Sequence, residues 1–203
     1  MSVLKVAENT LDSLRHEAAS CQACPLWKDA TQTVFGEGPL DAQVMLVGEQ
    51  PGDREDREGR PFVGPAGLLL DRALVEAGVD RASVYVTNAV KHFKFEPRGK
   101  RRLHKRPNAS EIKICRRWLF DEIQVVRPRL VVALGATAAQ GLMGRAIPVG
   151  ANRGAVLEAA DGLRVFITIH PSALLRLQDE DERRSAYASF VNDLRSVERL
   201  AKA

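Results

Sequence analysis

Residues 90–108 read "VKHFKFEPRGKRRLHKRPN" and hold eight cations, one carboxylate (Glu96) and two imidazoles, His92 and His104. A cationic run is ordinarily a solvated loop or a phosphate contact, and needs no imidazole for either purpose. A second group of reactive residues is "CQAC", Cys21 and Cys24, with Cys115 far along the chain. Paired thiolates at that spacing can share a metal, and a third sulfur leaves one ligand to be supplied by another residue. A redox dithiol is the alternative, but that motif normally opens a helix after a strand, whereas this one follows a helix-like segment. A third group is polar and sits where apolar runs stop: Gly48, Glu49, Gln50, Gly52 and Asp53 in "GEQPGD", Asn88 in "TNAVKH", His170 and Ser172 in "HPS". Phe62, within "GRPFVGPAG", is an aromatic flanked by turn residues, as a stacking surface for a flat base requires.

The elements that must position these groups follow from apolar patterning. Four short runs, 42–48, 83–90, 129–135 and 164–170, are rich in Val, Ile and Leu and read as strands buried on both faces. Helix-like segments cover 9–20, 65–77, 109–125, 136–143 and about 181–201. Their alternation predicts a single α/β domain over residues 1–203, with a mostly parallel four-stranded sheet flanked by helices. Ligands of such sheets lie beyond the carboxyl ends of the strands, which is where Glu49, Asn88 and His170 fall. Pro97, Gly99 and Pro107 break the cationic stretch, so about 94–107 is expected to be a loop.

Charge points to a polyanion. The chain carries a net +4, yet residues 90–108 alone carry +7, so the remainder sums to −3. Basicity this local suits a phosphate footprint rather than general solubility. No apolar run approaches bilayer length and the N-terminus lacks a signal-peptide core, so a cytoplasmic protein with no membrane contact is expected. Three cysteines argue against a disulfide framework. No feature demands a dimer, and a monomer is expected.

Taken together and in order, the Cys pair, "GEQPG", "GRPFVGPAG", "TNAVKH", the internal Cys and "HPS" resemble the iron–sulfur uracil-DNA glycosylases, from about residue 20 to the final helix. "GEQPGDRED", "VTNAVKHFKF" and "KRRLHK" resemble more specifically the UdgX branch, which cross-links to uracil-containing DNA. The resemblance implies a [4Fe–4S] cluster held by Cys21, Cys24, His92 and Cys115, His92 standing where most iron–sulfur members have cysteine. Zinc on the same four residues is the competing reading. It implies catalytic roles for Glu49, Gln50, His104 and His170, with His104 the residue that becomes bonded to C1′ of the abasic sugar. It further implies a substrate site formed by Gly48, Gly52, Asp53, Phe62, Asn88, Arg102 and Ser172. Uracil must be flipped out of a duplex or met in single-stranded DNA. Two other readings stand beside the cross-linker: a turnover glycosylase whose basic loop only grips phosphate, and a zinc module that binds nucleic acid without catalysis.

Overall fold

The computed structural model describes residues 3–202. In chain order the elements are α1 (Val3–Ala19), β1 (Val44–Gly48), α2 (Asp53–Glu58), α3 (Pro65–Ala77), β2 (Val84–Asn88), β3 (Phe95–Arg98), β4 (Arg101–His104), α4 (Ala109–Val126), β5 (Leu130–Leu134), α5 (Ala136–Met143), α6 (Val149–Asn152), β6 (Val156–Glu158), β7 (Arg164–Thr168), α7 (Pro171–Leu174) and α8 (Glu180–Lys202). The main sheet has the order β2-β1-β5-β7-β6. β1, β2, β5 and β7 are the four expected strands and pair in parallel. Among the described residues no helix is long and apolar enough to cross a membrane.

Two expectations are corrected. The sheet has a fifth strand, since β6 pairs antiparallel with β7 and makes the sheet mixed. It is three residues long and partly exposed, so it carries little of the apolar signal that marks its neighbours. The cationic stretch is no irregular loop but a hairpin, β3 against β4, in which Pro97 faces Arg102 across the ladder. Gly99, at φ +60, permits the reversal, and an isolated two-stranded ribbon has room for a proline that lacks a ladder donor.

Strand residues alternate between two cores. Met45, Val47, Val131, Ala133, Val165 and Ile167 pack with Trp118 and Leu119 of α4 and Leu142 of α5. Val44, Leu46, Leu130, Val132, Leu134 and Phe166 pack with Leu70 and Leu74 of α3 and Phe190 and Leu194 of α8. A sheet buried on both faces needs apolar residues at every position, which explains why these strands read as continuous runs. Asn108 caps α4, its side chain accepting from Glu111 N at 2.9 Å while the Glu111 carboxylate takes Asn108 N at 2.7 Å.

One polar group interrupts the first core. Glu122 of α4 is fully buried, and its carboxylate accepts from Gly36 N (2.6 Å), Tyr85 OH (3.1 Å), Thr87 Oγ1 (2.8 Å) and Lys91 Nζ (2.5 Å). Lys91 is also fully buried, and its ammonium reaches Thr87 Oγ1 (2.6 Å) and the Asn88 carbonyl (2.8 Å). Both charges are therefore paired and hydrogen-bonded, the condition under which a buried ion pair is tolerated. Removing one partner strands the other. Glu122→Ala is expected to lower the unfolding free energy by about 3–5 kcal/mol. Denaturant melts check this, and a loss under about 1 kcal/mol, that of an ordinary single hydrogen bond, would show that the pair is not the anchor.

Candidate active site

β1 and β2 end side by side, and their pairing continues past the strands through Ala89 N to Gly48 O and Val90 N to Glu49 O, both 3.0 Å. Gly48 is required by its neighbours: a Cβ there would lie 2.3 Å from Asn88 Oδ1 and 2.7 Å from the Phe62 ring. The absent side chain lets the amide and the aromatic face meet over the strand end. Phe62 holds φ +57, a conformation that bulky residues rarely adopt. Its carbonyl lies where a Cβ of Gly67 would be, 1.7 Å away, so the first turn of α3 presses directly on it and maintains the strained backbone.

His170 lies near the Phe62 ring, with centroids 6.2 Å apart and an interplanar angle of 29°. It precedes α7 and caps it. Its Nδ1 accepts from Ser172 N at 3.2 Å and lies 2.8 Å from Ser172 Oγ. With Nδ1 occupied as an acceptor, the ring proton belongs on Nε2. Burial, reinforced by His104 and Arg176, lowers the His170 pKa from 6.5 to about 4. At neutral pH this imidazole is an uncharged donor whose Nε2–H is held in a fixed direction.

Glu49 follows Gly48. Its Oε2 accepts from Thr137 Oγ1 at 2.5 Å, and its Oε1 lies 3.3 Å from His104 Nε2. Arg106 Nε donates to the same Thr137 hydroxyl at 3.1 Å and stands 4.0 Å from Glu49 Oε2. Glu49, His104 and Arg106 share a cavity of about 530 Å³ with Gln50, His170, Ser172 and Arg176. Gln50 reaches the root of the hairpin, its Nε2 donating to the carbonyls of Lys94 (3.0 Å) and Lys105 (3.2 Å) and its Oε1 accepting from Lys94 N (3.1 Å).

Arg102 fixes the hairpin from the opposite side. Its guanidinium donates to Asp53 and, at 2.6 Å, to the fully buried Asp56, and packs over the rings of Phe93 and Phe95 at 5.3 and 5.0 Å. Burial works against the Asp53 charge, but the donors of Arg102 and Arg57 outweigh it and hold that carboxyl below its ordinary range. Three of the eight cations are thus engaged internally: Lys91 with Glu122, Lys94 with Glu111 and Arg102 with Asp53 and Asp56. Arg98, Lys100 and Arg101 remain exposed at the hairpin tip.

The site has a base-sized platform, an amide, a fixed neutral donor, a carboxylate and a second imidazole at one sheet edge. The sequence of residues 35–195 matches the model of the uracil DNA glycosylase superfamily. The chain belongs to that superfamily. It is 38% identical over 178 residues to a type-4 uracil-DNA glycosylase of Thermotoga maritima, covering 87% of this chain and 89% of the relative. It is 39% identical over 173 residues to the type-4 enzyme of Pyrobaculum aerophilum, covering 82% and 85%. A type-5 enzyme of the same organism is 36% identical over 154 residues, covering 68% and 64%.

Within this uracil-DNA glycosylase fold the four residues expected to hold a cluster stand outside the lining of the catalytic cavity. Cys21 follows α1 and accepts from Trp118 Nε1 at 3.3 Å; Cys115, on α4, accepts from Lys91 N at 3.2 Å. Cys24 is buried and caps the short turn Pro25–Lys28. Burial pushes the Cys115 thiol up to about 12, with Cys24 and Cys21 adding to the rise, so the three sulfurs share one electrostatic neighbourhood. His92, next to Lys91 in the chain, is buried, and burial lowers its pKa, leaving it a neutral donor of the kind a metal takes. Among the described residues no three His, Cys, Asp or Glu stand close enough to share a single ion. The donor types fit a cluster: three soft sulfurs, two already accepting N–H bonds, and a neutral imidazole.

The residues that sequence reasoning missed are Thr137 and Arg106. Thr137 lies in "GATAA", which reads only as a glycine turn before a helix, and nothing in that pattern reveals that its hydroxyl meets a carboxylate 88 residues earlier. It is 1% exposed and holds the Glu49 oxygen that faces away from His104. Thr137→Val keeps the volume and removes the donor. It is expected to slow uracil excision by about 10- to 100-fold, the kinetic equivalent of the about 1.5–3 kcal/mol carried by a hydrogen bond to a charged group. Thr137→Ser should restore the rate. Equal rates in single-turnover assays of Thr137→Val and the parent would remove Thr137 from the site.

Proposed function

We propose that this chain excises uracil from DNA and then bonds His104 to C1′ of the sugar left behind, so that each molecule acts once. The observation that carries the reading is His104 Nε2 held 3.3 Å from Glu49 Oε1, at the cavity that His170 also lines. The first half rests on family membership and the type-4 relatives; the second rests on this geometry and on the resemblance of the hairpin to the UdgX loop.

Phe62 stacks on the flipped base. Asn88 is buried with its backbone carbonyl held by Lys91, and its amide offers the donor and acceptor that the O4 and N3–H edge of uracil requires. Cytosine presents the reverse polarity at that edge, and an oriented amide rejects it. Cleavage of the C1′–N1 bond sends its electron pair to uracil, and the negative charge collects near O2. The Nε2–H of His170 is the donor placed to receive it. The carboxylate of Glu49 opposes the positive charge on the sugar. In the free protein Nε2 of His104 faces the Glu49 carboxylate and carries the ring proton; attack uses the other neutral tautomer, with the proton on Nδ1 and the Nε2 lone pair turned to C1′. That pair forms the bond to C1′, and the resulting imidazolium loses its Nδ1 proton to solvent. A tethered ring competes with water through effective concentration, so addition outruns hydrolysis. Single-stranded DNA suits the site because no partner base must be displaced.

Cys21, Cys24, His92 and Cys115 are proposed to hold the [4Fe–4S] cluster, and its effect when bound is to tie the N-terminal segment to the turn after Asn88. The protein purified without chelators is expected to be brown, with iron and sulfide in equal amounts. Cys115→Ser should bleach it and lower its melting temperature. Colourless protein with stoichiometric zinc on metal analysis would replace this assignment with the mononuclear one.

The adduct is tested by incubating the protein with uracil-containing single-stranded DNA, denaturing it in hot detergent, and mapping digested peptides by mass spectrometry. The expected remnant lies on the peptide that contains His104. In His104→Ser the adduct should vanish while free abasic strand accumulates with turnover. A remnant on another peptide, or cross-linking by His104→Ser, would overturn the assignment. Free abasic strand from the parent protein would establish the turnover enzyme instead.

A further inference from the structure

Beside the catalytic cavity lies a second depression of about 570 Å³ that the reaction does not use. Pro65, Leu68 and Leu69 of α3, together with Leu174 of α7 and Leu175 just beyond it, line its apolar surface. Leu68 is 61% exposed and Leu175 47%, high values for leucines. Three arginines, Arg72, Arg183 and Arg184, rim this surface against one carboxylate, Glu180. Two of the three are held only lightly. Arg183 lies 3.7 Å from Glu180 and Arg184 3.3 Å from Asp181, in pairs whose acidic partners are 76% and 93% exposed. Exposed pairs of that kind contribute little and exchange readily for a phosphate.

The position of this groove is set by the topology. α3 begins just after Phe62, and α7 begins just after His170, so the groove opens at the same sheet edge as the site. The two depressions share α7 as a wall: Ser172 and Ala173, with Arg176 just beyond them, face the catalytic cavity, and Leu174 and Leu175 face the groove. A strand whose uridine sits in the cavity must leave it in some direction. An apolar floor with a cationic rim is what a single strand needs, since bases stack on the floor and phosphates meet the cations.

We propose that the groove between α3 and α8 carries the DNA segment that flanks the flipped uridine, with bases on the Leu68 surface and phosphates against Arg72, Arg183 and Arg184. This rests on the glycosylase reading above. It extends the DNA path away from the cationic hairpin to the opposite side of α7. The site then grips the strand on two sides of the reacting nucleotide, which the hairpin alone cannot do.

The test uses two fluorescein-labelled single strands that contain 2′-fluoro-2′-deoxyuridine, whose glycosidic bond resists cleavage. One is a trinucleotide centred on the uridine; the other extends about 15 nucleotides in all, within the usual span of single-strand sites. Affinities are read by anisotropy across a salt series. In the triple variant Arg72→Ser, Arg183→Ser, Arg184→Ser the long strand should bind at least about 10-fold more weakly, and its slope of log K against log salt should fall by about 2, as three lost phosphate contacts require. The trinucleotide should be unaffected. Leu68→Ser should weaken the long strand while leaving the salt slope intact. Unchanged affinity and slope for the long strand would overturn the proposal and leave the groove to a protein partner. Equal weakening of both strands would also overturn it, since the arginines would then act on the site itself. Failure of the parent protein to prefer the uridine trinucleotide over its cytidine counterpart would count against the glycosylase reading, not against the groove.

Discussion

The arrangement depends on a buried carboxylate. Glu122 stands inside an otherwise apolar core and gathers four donors from three parts of the chain: Gly36, Tyr85 and Thr87 of β2, and Lys91 just after it. In water none of these groups would prefer the others. In the core each leaves an uncompensated polar atom unless all are present, so the network closes as a unit. Its geometric result is that the ammonium of Lys91 turns inward and holds the Asn88 carbonyl, while the Lys91 N–H meets Cys115. The residue proposed to read the base and the sulfur proposed to ligate the cluster are therefore placed by one ion pair that touches neither DNA nor metal.

The hairpin is a separate problem, since two short strands alone are marginal in water. Two of its fastenings lead back to the exit of β1. Gln50 ties its root to the exit of β1, and Arg102 ties its second strand to α2 through Asp53 and Asp56. Both fastenings come from the segment that carries Glu49. Residues 49–56 thus hold both the strand exit that carries Glu49 and the hairpin that carries His104. Thr137 then fixes the carboxylate from the opposite side, so both ends of the contact are held.

Much of this was legible in the sequence. The four parallel strands announce themselves because burial on both faces demands unbroken apolar runs, and the polar residues at their ends fall where an α/β sheet presents its ligand. β6 was not legible, because three partly exposed residues at a sheet edge carry no periodicity. The hairpin looks like a loop in the sequence because prolines and a glycine mark it, whereas its strands come from the β3–β4 ladder, which Gln50 and Arg102 tie down from distant positions. The basic run suggested a footprint for phosphate along its whole length. Lys91, Lys94 and Arg102 instead answer acidic residues at 122, 111 and 53–56, and sequence distance hides such pairings. Thr137 was invisible for the same reason, since its role is a contact and not a pattern.

The two histidines of the site show how environment divides one side chain into two kinds of reagent. His170 is half-buried in the cavity wall, with Nδ1 committed to Ser172 and its pKa lowered to about 4, so between pH 5 and 8 it stays a neutral donor and its ring has no free lone pair. It can stabilise an anion but cannot attack. Because the unfolded chain takes up a proton near pH 6.5 that the folded chain refuses until about 4, this burial costs stability as pH falls through that interval. His104 is the reverse: its side chain is 48% exposed, on a hairpin outside the sheet, with one ring nitrogen facing Glu49. That exposure is what an attacking group requires, since it must approach a sugar that arrives from solvent. A donor aimed at the leaving base must be rigid before the substrate enters, whereas a nucleophile aimed at C1′ must sit where water would otherwise stand. One imidazole is accordingly built into the junction of β7 and α7, and the other is delivered by a separate hairpin.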